Sequence, residues 1–142
     1  MRLFLLGLLI AAGIMSAAGF GYFVSARSGE ASDGRELYAA NCASCHGANL
    51  EGQADWMKRL PNGRLPAPPH DETGHTWHHS NKQLFTIVKL GLGAIAPGYE
   101  SDMPAFDGVL SDEQIVEVLD YIKSTWSERA RKYQEARSNA DP

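Results

Sequence analysis

Cysteine is scarce in this chain, with two among 142 residues. They are Cys42 and Cys45, so close in sequence that a disulfide between them would close a very small loop. Such a loop restrains little of the unfolded chain. A small domain held together by disulfides is therefore excluded, and the pair calls for another explanation.

An excess of basic residues is also missing. The chain has 13 Lys and Arg against 17 Asp and Glu, a formal net charge of −4. Nucleic-acid-binding proteins concentrate positive charge to neutralise phosphates, so we expect no nucleic-acid partner. The charge is uneven: residues 27–122 carry 7 basic against 14 acidic side chains, whereas residues 123–142 carry 5 against 3. The main part of the chain is thus acidic, and its end is basic.

Strand-like alternation of apolar and polar residues is absent, as is any internal repeat. Apolar residues recur instead at helical spacing in three segments, each preceded by residues that cap helices. The capping residues are Asp33 with Glu36, Ser80 or Asn81, and Ser111 with Gln114. We predict an all-α fold with helices at about 34–42, 81–90 and from 112 onward.

Residues 47–79 lack regular helical or strand patterning and contain the proline-rich segment 66–69. A long irregular segment in a small domain is uncommon unless it has a function such as wrapping a ligand. We therefore expect one domain at 33–126 built around a ligand. Residues 127–142 are predicted to form a charged, solvated helical tail that continues the last helix.

Charge is missing from one further stretch, Leu3–Val24, which follows Arg2. This run is long enough for a membrane-spanning helix, while small residues near its end fit a cleaved secretory signal. Residues 1–24 are thus a signal anchor or a removed signal, and residues 25–32 a short tether. Both alternatives predict export, with the domain at the inner membrane facing the periplasm or soluble in the periplasm.

Cys42-Ala43-Ser44-Cys45-His46 has the C-x-x-C-H spacing of covalent haem attachment. Each thiol can add to one vinyl group of a haem, and the adjacent histidine can bind the iron. A redox dithiol would need a βαβ context, and a zinc site would need a second ligand pair at defined spacing. We predict one haem c bound by Cys42, Cys45 and His46.

An electron-carrying haem needs a second strong axial ligand, commonly Met or His. Met1 and Met15 fall in or beside the apolar run, which leaves Met57 and Met103. Met103 precedes the last predicted helix and is followed by Pro104, which fixes the local backbone. We predict that the metal ligands are His46 and Met103.

Several motifs together resemble class I cytochrome c, over about residues 33–126. They are Gly34, Tyr38, Cys42–Gly47, Met103–Phe106, Leu110–Ile115 and Leu119–Ile122. The resemblance implies three main helices and long loops wrapped around one haem, with Gly34 and Tyr38 of the first helix meeting Val118 and Tyr121 of the last.

The resemblance also implies the surroundings of the haem. A proline carbonyl should orient the axial histidine, and either Pro68 or Pro69 fits that role. The middle helix should cover a haem edge. The further cofactor-binding residues expected are Leu84, Phe85, Val88 and Phe106.

Four histidines in one loop set this sequence apart from the family pattern: His70, His75, His78 and His79. They can hydrogen-bond haem propionates or order the loop, with Trp77 packing against the porphyrin edge. Alternatively, they can bind copper or zinc, since imidazole suits both metals.

The function implied is a non-enzymatic carrier of single electrons between respiratory or photosynthetic membrane complexes. The expected donor is a quinol-oxidising complex, and the acceptor a terminal oxidase or reductase. The alternative is a haem protein whose histidine loop binds or senses copper in the periplasm.

Overall fold

The structure, a computed structural model, describes residues 33–141. The α-helices are α1 (Gly34–Asn41), α2 (Ala43–His46), α3 (Asn81–Leu90), α4 (Asp112–Ser124) and α5 (Glu128–Asn139), with 3₁₀ turns at Thr76–His78 and Leu92–Ala94. Within this range there is no strand, only an isolated bridge between Asp107 and Leu110. The predicted all-α fold is confirmed.

The apolar segment 1–24 and the tether 25–32 lie outside the described residues. Within residues 33–141, every helix is too short or too polar to cross a membrane.

Local capping sets the helix starts. Ser80 with Gln83 and Ser111 with Gln114 form reciprocal capping boxes at α3 and α4, which satisfy amide groups that have no partner within the helix. At α1 the Asp33 carboxylate instead accepts a hydrogen bond from the amide of Arg35, at 3.0 Å. The predicted helices therefore form close to their expected bounds.

The last predicted helix does not continue into the tail as expected. Thr125 caps α4, and the Ser127 hydroxyl accepts from the Ala130 amide to start α5. Between them, Trp126 turns inward until it is 2% exposed, and its indole N–H donates to the carbonyl of His70 at 2.7 Å. Burying this side chain breaks the helix in two.

One face of the tail is buried and not solvated. Ala130 and Gln134, one turn apart on α5, are buried. The Gln134 amide nitrogen donates to the carbonyl of His79 at 3.3 Å, and Arg137 Nε donates to the carbonyl of His78 at the same distance. The tail is helical and most of its residues are exposed, as expected, but one face of α5 packs on the histidine loop.

Helices α1 and α4 cross at the residues that the resemblance implied. Tyr38 and Val118 are both almost fully buried, and the rings of Tyr38 and Tyr121 lie 5.5 Å apart between centroids. Ile115, Leu119 and Ile122 complete the buried side of α4. The crossing fixes the end of α1, from which the haem-binding motif emerges.

Candidate functional site

The C-x-x-C-H motif begins where α1 ends. Cys42 caps α1, with its amide donating to the carbonyl of Tyr38 at 2.8 Å, and Cys45 and His46 lie on the short helix α2. Gly47 then ends α2 with a φ of 83°, a conformation that costs glycine least. Cys42 is partly buried and Cys45 is exposed.

The Cys42 thiol is held in its neutral form. Burial, and then the neighbouring Cys45, raise the pKa of Cys42 to about 11. Redox dithiols and zinc ligands work as thiolates and depend on a lowered pKa. Cys42 is therefore poorly suited to thiolate chemistry, in line with the preference for haem attachment.

His46 is buried, at 6% exposure, and its Nδ1 lies 2.8 Å from the carbonyl oxygen of Pro68. This contact assigns the orienting carbonyl to Pro68 and not to Pro69. With Nδ1–H donating to that carbonyl, Nε2 is the ring nitrogen that carries the lone pair. Burial lowers the pKa of His46, opposed by the Pro68 hydrogen bond, and the neutral imidazole is the form that binds metals.

His70 lies against the same ring. The His46 and His70 ring centroids are 3.9 Å apart, with an interplanar angle of 24°. Burial, followed by the nearby His46 and His75 rings, lowers the pKa of His70 to about 3. The partner stacked on His46 is thus a neutral imidazole.

Trp77 packs against the hydrophobic core, in edge contact with the Tyr133 ring at 5.3 Å between centroids. The guanidinium carbon of Arg129 lies 6.0 Å from the centre of the Trp77 ring. The indole Nε1 of Trp77 is buried and has no hydrogen-bond partner among residues 33–141. A buried donor without a partner is costly, so this nitrogen points to an acceptor supplied by a ligand.

Met103 and Met57 differ sharply in burial. Met103 is partly buried and packs against the core, and its amide donates to the Ser101 hydroxyl at 3.1 Å. Met57 is 76% exposed. Of the two methionines, only Met103 has the sheltered setting expected of an axial ligand.

The remaining predicted contacts come from α3 and the segment before α4. Leu84 is 5% exposed and Phe106 is 7% exposed, while Phe85 and Val88 are partly buried against the same core. The Phe106 amide donates to the carbonyl of Val88 at 3.0 Å. This bond joins the Met103–Phe106 segment to the end of α3.

Together these residues fit a covalently attached haem. The thiols of Cys42 and Cys45 can form thioethers, and His46 has one ring nitrogen fixed and the other suited to iron. The buried indole N–H of Trp77 can donate to a haem carboxylate.

The histidine loop divides between different surroundings. His70 stacks on His46, whereas His78 packs against Trp77 with ring centroids 3.9 Å apart. The ring centroids of His75 and His79 lie 5.5 Å apart. Within the part of the chain that the structure describes, no group of three or more His, Cys, Asp or Glu side chains is arranged to hold a metal ion.

Sequence reasoning missed several contacts that shape the site. The Tyr38 hydroxyl donates to the carbonyl of Gly47 at 2.9 Å, and Thr76 lies 2.9 Å from His70 Nδ1. Neither contact has a signature in the sequence. A hint for His70 existed, because it follows the Pro68-Pro69 pair that was expected to approach His46.

Comparison with known proteins places the chain among haem proteins. The family model described as cytochrome c matches residues 31–126. The chain is 33% identical to cytochrome c6 of Microcystis aeruginosa over 92 residues, which is 63% of this chain and 90% of that protein. It is 34% identical to cytochrome c6 of Leptolyngbya boryana over 93 residues, 66% of this chain and 89% of the relative.

A third relative is the fructose dehydrogenase cytochrome subunit of Gluconobacter japonicus. It is 33% identical over 97 residues, 65% of this chain but 18% of that subunit. No solved structure matches the chain significantly.

Proposed function

The chain belongs to the cytochrome c family, and on this premise we propose that it carries single electrons through one haem c with His46 and Met103 as axial ligands. Members of this family bind haem covalently, and the cytochrome c6 relatives support an electron-transfer role. The observation that carries the proposal is the buried His46 ring, which directly follows the two cysteines of the motif and is oriented by the Pro68 carbonyl.

Each residue has a distinct task in this proposal. Cys42 and Cys45 tether the porphyrin through thioether bonds, and His46 offers Nε2 to the iron while Pro68 holds its Nδ1. Haem bound there would supply a one-electron couple between ferrous and ferric iron. The apolar side chains of Leu84, Phe85 and Phe106 exclude water, which disfavours the more highly charged ferric state.

Met103 is proposed as the second axial ligand. A thioether ligand favours ferrous iron and raises the reduction potential. With both axial positions taken by the protein, no substrate binds the iron, so we propose a carrier and not an enzyme. The sheltered position of Met103 against the core supports it as the axial ligand over Met57, which is exposed.

The partners proposed are membrane redox complexes: a quinol-oxidising donor and a terminal oxidase or reductase as acceptor. The acidic balance of residues 27–122 supports electrostatic attraction of a basic partner. We further propose that the apolar segment 1–24 directs export and either anchors the domain on the periplasmic face of the inner membrane or is cleaved. An anchor would confine the search for a partner to the membrane plane.

Mass spectrometry and absorption spectroscopy of the purified protein test the haem assignment. We expect the parent to carry the mass of one haem, and the Cys42→Ala/Cys45→Ala double variant to lose it under denaturing conditions. A parent protein without covalent haem would overturn the proposal. The same mass spectrum reports whether residues 1–24 remain attached.

The second ligand is tested with Met103→Ala and, as a matched control, Met57→Ala. The weak far-red absorption band of thioether-ligated ferric haem should be present in the parent and in Met57→Ala and absent from Met103→Ala. We also expect the reduction potential to fall in Met103→Ala alone. Retention of the band in that variant would exclude Met103 as the ligand.

A further inference from the structure

Two contacts restrain the ring of His46. The hydrogen bond to the Pro68 carbonyl restrains the position of Nδ1, but one such bond tolerates angular deviation and leaves the ring some rotation about the Cβ–Cγ bond. The stacked ring of His70, 3.9 Å away at an interplanar angle of 24°, opposes that rotation. Together the two contacts define both the tilt and the plane of the imidazole.

His70 is itself held on three sides. Its amide donates to the carbonyl of Leu50 at 2.8 Å, and its carbonyl accepts from the indole of Trp126 at 2.7 Å. Its Nδ1 forms a hydrogen bond with the Thr76 hydroxyl at 2.9 Å, and Thr76 is 7% exposed. Backbone and ring are therefore fixed separately, so the stacked ring is a rigid support.

Space-filling alone does not explain a histidine in this place. A polar ring in a sheltered position costs free energy unless it is hydrogen-bonded, and an aliphatic side chain would fill the same volume without that cost. The Thr76 hydroxyl meets the requirement and at the same time sets the rotation of the His70 ring. The hydrogen-bonded pair of His70 and Thr76 is therefore better explained by orienting the ring than by filling the core.

We propose that His70 is a positioning residue that fixes the plane of the His46 imidazole. The inference rests on the proposed function, in which His46 binds the iron. Partners that hydrogen-bond or orient a ligating histidine are known to tune metal centres. The ligand plane determines how unpaired spin spreads over the porphyrin in the ferric state, so a change in plane can be measured directly.

The test compares ferric haem in the full-length parent and four single variants. His70→Ala removes the stacked ring, His70→Phe keeps an aromatic plane, and Thr76→Val removes the hydrogen bond at nearly constant volume. His75→Ala is the matched control, a histidine of the same loop that stacks on Trp56 instead. The measurements are the EPR g values, the NMR hyperfine shifts of the haem methyl groups and the reduction potential.

We expect a shifted g tensor and redistributed methyl shifts in His70→Ala, a smaller change in Thr76→Val, and values closer to the parent in His70→Phe. His75→Ala should match the parent. Parent-like values in both His70→Ala and Thr76→Val would overturn the inference, as would an equal change in His75→Ala. Should His70→Ala not fold, Thr76→Val alone decides the question. A parent without His46-bound low-spin iron would overturn the proposed function itself.

Discussion

Gly34 of α1 lies directly against the carbonyl of Glu117 in α4. A Cβ added to Gly34 would overlap this backbone oxygen and would stand 3.1 Å from Cβ of Tyr121. The close approach lets Tyr38, one turn further along α1, bury its ring against Tyr121. Glycine at this position therefore serves helix packing and not a special backbone angle.

Gly34→Ala should for this reason lower the free energy of unfolding, by about 1–3 kcal/mol, because overfilling a packed contact forces the helices apart. The control is Gly93→Ala, since no atom lies within 4 Å of the Cβ added there. Guanidinium unfolding of the haem-loaded proteins, followed by circular dichroism, measures both. Equal stability of Gly34→Ala and the parent would show that the crossing has room to adjust.

Local signals in the sequence were sufficient for the starts of α1, α3 and α4. Ser111 with Gln114 predicted where α4 begins, and Ser80 or Asn81 was expected to cap α3; the structure has capping boxes at Ser80 and Ser111. The C-x-x-C-H motif likewise predicted its own site, because all of its chemistry lies in adjacent residues. Signals of this kind depend only on near neighbours along the chain.

Contacts between distant segments were not predictable. Trp126 and His70 are 56 positions apart, and nothing in either segment indicates the other. The buried face of α5 consists of Ala130 and Gln134, one small and one polar residue, so it leaves no apolar pattern among the surrounding charges. The helix therefore resembled a solvated tail in sequence although it supports the histidine loop.

Gln134→Ala tests this role of α5. The Gln134 amide nitrogen donates to the carbonyl of His79 and, at 2.8 Å, to Asn81 Oδ1, and the side chain is 4% exposed. Removing a donor from buried acceptors costs about 1–3 kcal/mol. We expect that loss in the free energy of unfolding, with Glu135→Ala, at the exposed neighbouring position, close to the parent. If the two variants have equal free energies of unfolding, the contacts of Gln134 contribute little to the stability of the domain.

Trp77→Phe tests the buried indole nitrogen. A hydrogen bond donated to a carboxylate stabilises its charged form and lowers its pKa. Loss of the Trp77 N–H should therefore raise the pKa of the haem carboxylate, so that the reduction potential begins to change with pH at a higher pH than in the parent. Trp56→Phe is the control, because Trp56 stacks on His75 and not on the core. Identical potential–pH curves for Trp77→Phe and the parent would contradict this contact.

Acid should destabilise the domain through His75 and His79. Burial lowers the pKa of His79, and burial with the nearby His79 and His78 lowers the pKa of His75. Below the ordinary histidine pKa of about 6.5, the unfolded chain then binds protons that the folded chain does not. Stability is therefore complete above that pH and falls as the solution is acidified.

The variant His75→Asn/His79→Asn removes these two groups and leaves His46 and His70 in place. Its free energy of unfolding should fall less steeply than that of the parent between about pH 6.5 and pH 5, because fewer protons are taken up on unfolding. Guanidinium unfolding of both haem-loaded proteins at each pH gives the two slopes, and pH 8 provides the reference at which all these histidines are neutral in the unfolded chain. Parallel slopes would mean that the two histidines titrate alike in the folded and unfolded chains, so that burial in the loop has no net effect on their protonation.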